Sequence, residues 1–94
     1  MTEAEKERLA MLAEECAEVI QVVGKILRHG YESYHPNDPQ RVTNRDLLIN
    51  ELRDIEGVTF GMSLNGDIKP PRIGSDPGGV WQKKLRWTHH QKGK

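Results

Sequence analysis

Two pairs of carboxylates carry the chemistry this chain has to offer: Glu15 with Glu18, and Glu51 with Asp54. The members of each pair are three residues apart, which makes them neighbours on an α-helix, so each pair presents two acids to one spot. Like charges so placed repel unless a cation or a proton relieves them. On a helix spanning roughly residues 44–62, a wheel at about 100° per residue gathers Leu47, Leu48, Leu52, Ile55, Val58 and Met62 into an arc of roughly 140°. Glu51 falls inside that arc and Asp54 about 20° beyond its Leu47 edge, whereas Asn50, Arg53 and Glu56 take the opposite side. A bare carboxylate on a packing face is costly or stays protonated, and a divalent cation removes the difficulty. Oxygen-only donors select Mg²⁺, with Mn²⁺ as the alternative; no Cys or His sits at a spacing that would favour zinc.

The first pair lies on a stripe of its own. Met11, Glu15, Glu18, Val22 and Lys25 follow a 4-3-4-3 spacing, so two acids share a partly covered line with two apolar residues, and Glu14 lies on its more exposed edge. Taken alone, Glu15/Glu18 reads most simply as a solvated pair, because such spacings arise by chance on charge-rich helices. Glu51/Asp54, on an apolar face, does not.

Two helices must position these acids. The first is predicted over roughly residues 2–29, stopped by Gly30. Its apolar seam is Leu9, Leu12, Cys16, Val19, Val23 and Ile26, widened by Ala13, Ala17, Ile20 and Leu27; Cys16 reads as a small core residue. Residues 30–42, with Pro36, Pro39 and Asn37-Asp38, form a loop. Thr43 is the predicted N-cap of the second helix, with Asp46 in its first turn, and Gly57 and Gly61 weaken its end near residue 62. The segment 63–80, with four glycines and three prolines, is predicted to be irregular. A short basic helix over 81–91 is expected, carrying Trp81, Leu85 and Trp87, with Trp81 and Trp87 anchoring the tail to the bundle. The whole chain, 1–94, reads as a single all-α domain.

Composition bounds the rest. Ninety-four residues, 35% of them hydrophobic, allow one small domain of marginal stability, so a partner chain is expected and a multidomain enzyme is excluded. No apolar run is long enough to span a membrane, no signal-peptide core follows the acidic start, and a single cysteine fits a reducing cytoplasmic setting. Fourteen basic and fourteen acidic residues cancel. They are unevenly spread: Glu3, Glu5, Glu7, Glu14, Glu15 and Glu18 crowd the start, while the end carries Lys83, Lys84 and Arg86 among seven bases. Such an acidic head and basic tail suit self-association or an anionic ligand, and no recognisable nucleic-acid-binding motif is present.

The segments EECAE (Glu14–Glu18) and ELRD (Glu51–Asp54) together resemble the EExxE…ExxD signature of MazG-like, all-α NTP pyrophosphohydrolases. The flanking LAEECAEVIQVVGKILRHG and LLINELRDIEGV are similar to small phage and bacterial members, so the resemblance covers residues 9–58. It implies a Mg²⁺-dependent hydrolase that converts a (d)NTP to its monophosphate and pyrophosphate. By the family's pattern Glu15, Glu18, Glu51 and Asp54 would hold the metal and Glu14 would orient water. Phosphates also need cations: Lys25, which continues the Glu18–Val22 stripe, is the expected triphosphate contact, with Arg28 one turn further. Members of the family form four-helix bundles. This chain supplies two clear helices and a Gly/Pro-rich segment where a helical continuation would stand, so a homodimer with two helices from each copy is the expected repair. The rival reading is a non-catalytic helical oligomerisation or interaction protein that keeps the bundle.

Overall fold

A computed structural model describes residues 1–69 and 76–91. Its elements are α1 (Glu3–His29), α2 (Asn44–Leu64) and α3 (Pro77–Leu85), and no strand forms among the described residues. Both long helices begin with reciprocal caps. The Thr2 hydroxyl accepts from the Glu5 N–H while the Glu5 carboxylate accepts from the Thr2 N–H, and Thr43 and Asp46 repeat the arrangement at α2. Gly30, at φ 89°, ends α1 in a conformation that disfavours a side chain.

α1 and α2 form an antiparallel hairpin fastened at both ends. At the loop end Asn44, which is buried, donates from its backbone to the Ser33 carbonyl at 2.8 Å and from its side chain to the Gly30 carbonyl at 3.1 Å. The Asp38 carboxylate accepts from the Gln40 and Val42 N–H groups and holds the turn between them. At the open end Arg8 makes a forked pair with Asp67, at 2.5 and 2.9 Å, joining the start of α1 to the segment after α2.

The contact between the helices follows one seam on each. On α1 it is Arg8, Leu12, Glu15, Val19, Val22 and Ile26; on α2 it is Asn44, Leu48, Glu51, Ile55, Val58 and Met62. Each repeats at alternating steps of three and four, the spacing of two helices packed side by side. The α1 seam differs from the sequence expectation. Leu12, Val19 and Ile26 belong to it as predicted, but Leu9, Cys16 and Val23 are exposed, and Arg8, Glu15 and Val22 replace them. Cys16 is therefore a surface residue, not a core one. Leu52, predicted on the α2 packing arc, is also exposed. The physical reason is partner number: one neighbouring helix covers about a third of a helix circumference, whereas the predicted apolar face is wider than that.

Consequently a single copy has almost no interior. Val22 and Met62 are the only buried apolar residues among those described, while Ile20 is 71% and Leu27 82% exposed. The radius of gyration is 16.5 Å, against about 12 Å for a compact domain of this length.

The C-terminal half departs further from the sequence reading. α2 continues to Leu64, two residues beyond the predicted end, because Gly57 and Gly61 lower helix propensity without blocking a turn already begun. α3 starts at Pro77, inside the segment predicted to be irregular, and stops at Leu85, short of the predicted end at 91. Asp76 caps it by accepting from the Gly79 N–H, and Pro77 sits where its missing N–H costs nothing. Residues 70–75 of the predicted irregular stretch lie outside the described residues. α3 packs on neither α1 nor α2; Trp81 and Trp87 are exposed and do not anchor the tail to the hairpin. No helix among the described residues is long and apolar enough to cross a membrane.

Candidate metal centre

Glu15 and Glu51 occupy the middle of their respective seams, facing one another across the hairpin, and Glu18 and Asp54 follow each by three residues. The result is one cluster: Glu15, Glu18, Glu51 and Asp54 each offer a carboxylate oxygen, and all four oxygens lie within 4.8 Å of one another. Glu15, Glu18 and Glu51 are half-buried, and Asp54 is exposed at the rim. Antiparallel pairing is what joins the pairs, since it sets the mid-point of α1 against the mid-point of α2.

The electrostatics of this cluster are unfavourable as they stand. Oε2 of Glu15 and Oε2 of Glu51 are buried and have no hydrogen-bond partner among the described residues, an arrangement that proteins ordinarily avoid. The Glu51 carboxyl is pushed up to about 7 from an ordinary 4.5, first because it can share a proton with Glu18, then by burial and by repulsion from Glu18, Asp54 and Glu15. Burial, followed by repulsion from Glu18 and Asp54, also raises Glu15. Two remedies exist, a retained proton or a bound cation.

The donor set fits a hard cation. Two oxygens bound to one Mg²⁺ at about 2.1 Å lie no more than about 4.2 Å apart. The present spread of up to 4.8 Å closes with a small side-chain rotation about one ion or accommodates two ions bridged by shared carboxylates.

An open cleft of about 600 Å³ adjoins the cluster and shares Glu15 and Asp54 with it. It runs along the hairpin toward Arg8 and Gly61, between Met11 on one helix and Val58 on the other, with Arg53 at its rim. Arg53 belongs to the side of α2 expected from the sequence to be solvated, and no spacing in the sequence singles out Arg8. The signal for Arg53 lies in the sequence, one residue before Asp54, but only the pairing of the helices gives it a cleft to border.

The other predicted site residues lie apart from this cleft. Glu14 is exposed and adds to the repulsion felt by Glu15. Lys25 is exposed two turns beyond Glu18, about 10 Å along the axis, in the direction opposite to the cleft. Arg28 is exposed beside Gly24, near the end of α1. Neither lines the cleft. No family model, curated protein or solved structure matches the chain.

Proposed function

We propose that the protein is a Mg²⁺-dependent nucleotide pyrophosphohydrolase, converting a (d)NTP and water to (d)NMP and pyrophosphate. The observation that carries this reading is the convergence of four carboxylates from two helices, with two of their oxygens buried and unpartnered. The EExxE…ExxD resemblance supplies the reaction class. Glu15, Glu18, Glu51 and Asp54 would hold the metal, or Mn²⁺ in its place. When bound, the ion offsets phosphate charge and lowers the pKa of a coordinated water. Glu14, beside Glu15, would orient the attacking water toward the α-phosphorus. The oxygen bridging the α- and β-phosphates would leave with pyrophosphate. Lys25 and Arg28 remain the proposed triphosphate contacts. A cytoplasmic setting, where nucleoside triphosphates and free Mg²⁺ coexist, suits this chemistry.

Two helices supply only half of such a bundle, and a homodimer would complete it. Leu9, Ala13, Cys16, Ile20, Val23 and Leu27 form a second seam on α1, spaced 4-3-4-3-4, with every member apolar and exposed. Ile49 and Leu52 of α2 lie on the same flank of the hairpin by helical wheel and are exposed as well. Sedimentation should report a dimer or larger oligomer, and Ile20→Glu with Leu27→Lys should shift it to monomer at micromolar concentration. A wild-type monomer would remove this part of the proposal.

The same apolar seam also serves the rival reading, a helical interaction protein without catalysis. A screen of purified protein against a broad (d)NTP panel, including damaged nucleotides, with Mg²⁺ and a pyrophosphate readout, separates the two. Turnover of at least one nucleotide is expected; no turnover across the panel would leave the interaction protein.

A further inference from the structure

Gly57 and Gly61 have no local reason to be glycine. Both stand in the interior of α2 with negative φ, where glycine weakens a helix. A Cβ built on either meets nothing within 4 Å among the described residues. Both line the cleft that begins at Glu15 and Asp54. They bare a strip of helix backbone as its floor, with Met11 and Val58 as apolar walls.

The cleft also lies on the flank of the hairpin opposite the exposed apolar seam. On a helical wheel Met11 sits about 60° to one side of the centre of the packed α1 seam, and the exposed apolar seam of Leu9, Cys16 and Ile20 about 100° to the other. A copy docked on that apolar seam leaves the cleft open. Its volume of about 600 Å³ falls within the range of small-molecule sites, about 300–1,000 Å³. Glu15 and Asp54 line one end of it, and Arg53 and Arg8 also border it, the Arg8 guanidinium being held by Asp67.

We infer that this cleft seats the nucleoside part of the substrate, its flat base lying on the Gly57–Gly61 strip between Met11 and Val58. The inference rests on the hydrolase reading and adds a direction to it. The triphosphate reaches back to Glu15 and Asp54, and the base points toward the open end of the hairpin, away from Lys25. Arg53 offers donors to the base or sugar from the rim.

Gly61→Leu and Gly57→Leu add a side chain whose Cβ meets no described neighbour, and both favour the helix, so circular dichroism and the melting midpoint should be no worse than wild type. Gly61→Ala provides a milder version of the same change. The readout is equilibrium binding, with Mn²⁺ present, of an α,β-imido deoxynucleoside triphosphate and, separately, of inorganic tripolyphosphate. The leucine variants should weaken nucleotide binding by about tenfold or more through steric exclusion, the alanine variant by less, with tripolyphosphate binding unchanged. Unchanged nucleotide binding in the leucine variants overturns the inference, as does equal loss of both ligands. A change of oligomeric state in Gly61→Leu overturns it too, since the strip would then be a helix-packing surface. Failure of the hydrolase reading shows separately, as wild-type protein that releases no pyrophosphate.

Discussion

Replacing Glu51 with glutamine should abolish pyrophosphate release while making the metal-free protein more stable. Glutamine keeps the shape of the side chain and removes its charge. The proposed metal would lose a ligand from the half-buried part of the cluster, where Glu51 stands beside Glu15 and Glu18. Groups that merely support metal ligands are each worth about 10–100-fold in affinity or activity, so a direct ligand should cost at least about 100-fold in rate, with weaker Mn²⁺ binding by electron paramagnetic resonance. In the absence of metal the same substitution removes one of four mutually repelling acids, so the melting midpoint should rise. These opposite signs are diagnostic. A residue needed only for packing would lose activity and stability together, and a wild-type protein that binds no Mn²⁺ would sink the metal centre. Asp54→Asn should act in the same direction on rate.

A second expected result is an inverted dependence of stability on pH. Glu51 is raised in the folded protein from 4.5 to about 7, and Glu15 is raised as well. Between those limits the folded state holds protons that the unfolded chain releases, so stability is fully present below the unfolded value and declines as pH climbs through the folded one. The groups facing Glu51 are Glu15 and Glu18 from α1 and Asp54 from α2, all acidic. Without divalent ions the melting midpoint should therefore fall as pH rises from about 5 and level off above about 7. Asp38, held down by the Val42 and Gln40 N–H groups, and Asp67, held down by Arg8, work in the opposite sense. Their stabilisation is present above an ordinary 3.8 and is lost only in stronger acid. The metal-free protein should thus be most stable between the two ranges, near pH 4 to 5 by about half a unit either way.

Millimolar Mg²⁺ or Mn²⁺ should reverse the neutral part of that profile, because cations compete with protons for the same oxygens. An ion at a hundred times its Kd adds about 2.7 kcal/mol, which moves the midpoint of a domain this size by on the order of 10 °C. Differential scanning fluorimetry across pH, with and without metal, reads both effects. A flat profile in wild-type protein, or one unaltered by Glu51→Gln, would show that the acids are fully solvated.

How much of this was legible in the amino-acid order depends on the range of the interaction. Thr43 with Asp46 and Gly30 after His29 act within one helical turn, and the structure shows the cap and the stop where those residues stand. The pairing of acids within each helix is equally local. The Gly- and Pro-containing start of α3 misled because Pro and Gly disfavour a helix interior, whereas the first turn tolerates them once Asp76 supplies a cap.

Which stripe of α1 packs was beyond the reach of periodicity. The apolar content of Leu9, Cys16 and Val23 favours one side, yet the contact with α2 runs through Arg8, Glu15 and Val22. A hydrophobic pattern records all the surfaces a helix must bury, including those reserved for other partners, and does not rank them. The loop clamp at Asn44 and the Arg8–Asp67 fork, residues far apart in the chain, set the register of the hairpin. That register brings Glu15 opposite Glu51 and opens a cleft over Gly57 and Gly61. Residue order alone therefore sufficed for the helices, their caps and the acid pairs, because neighbours within a turn dictate them. The meeting of the two pairs, and the space beside them, came only from packing one helix against another.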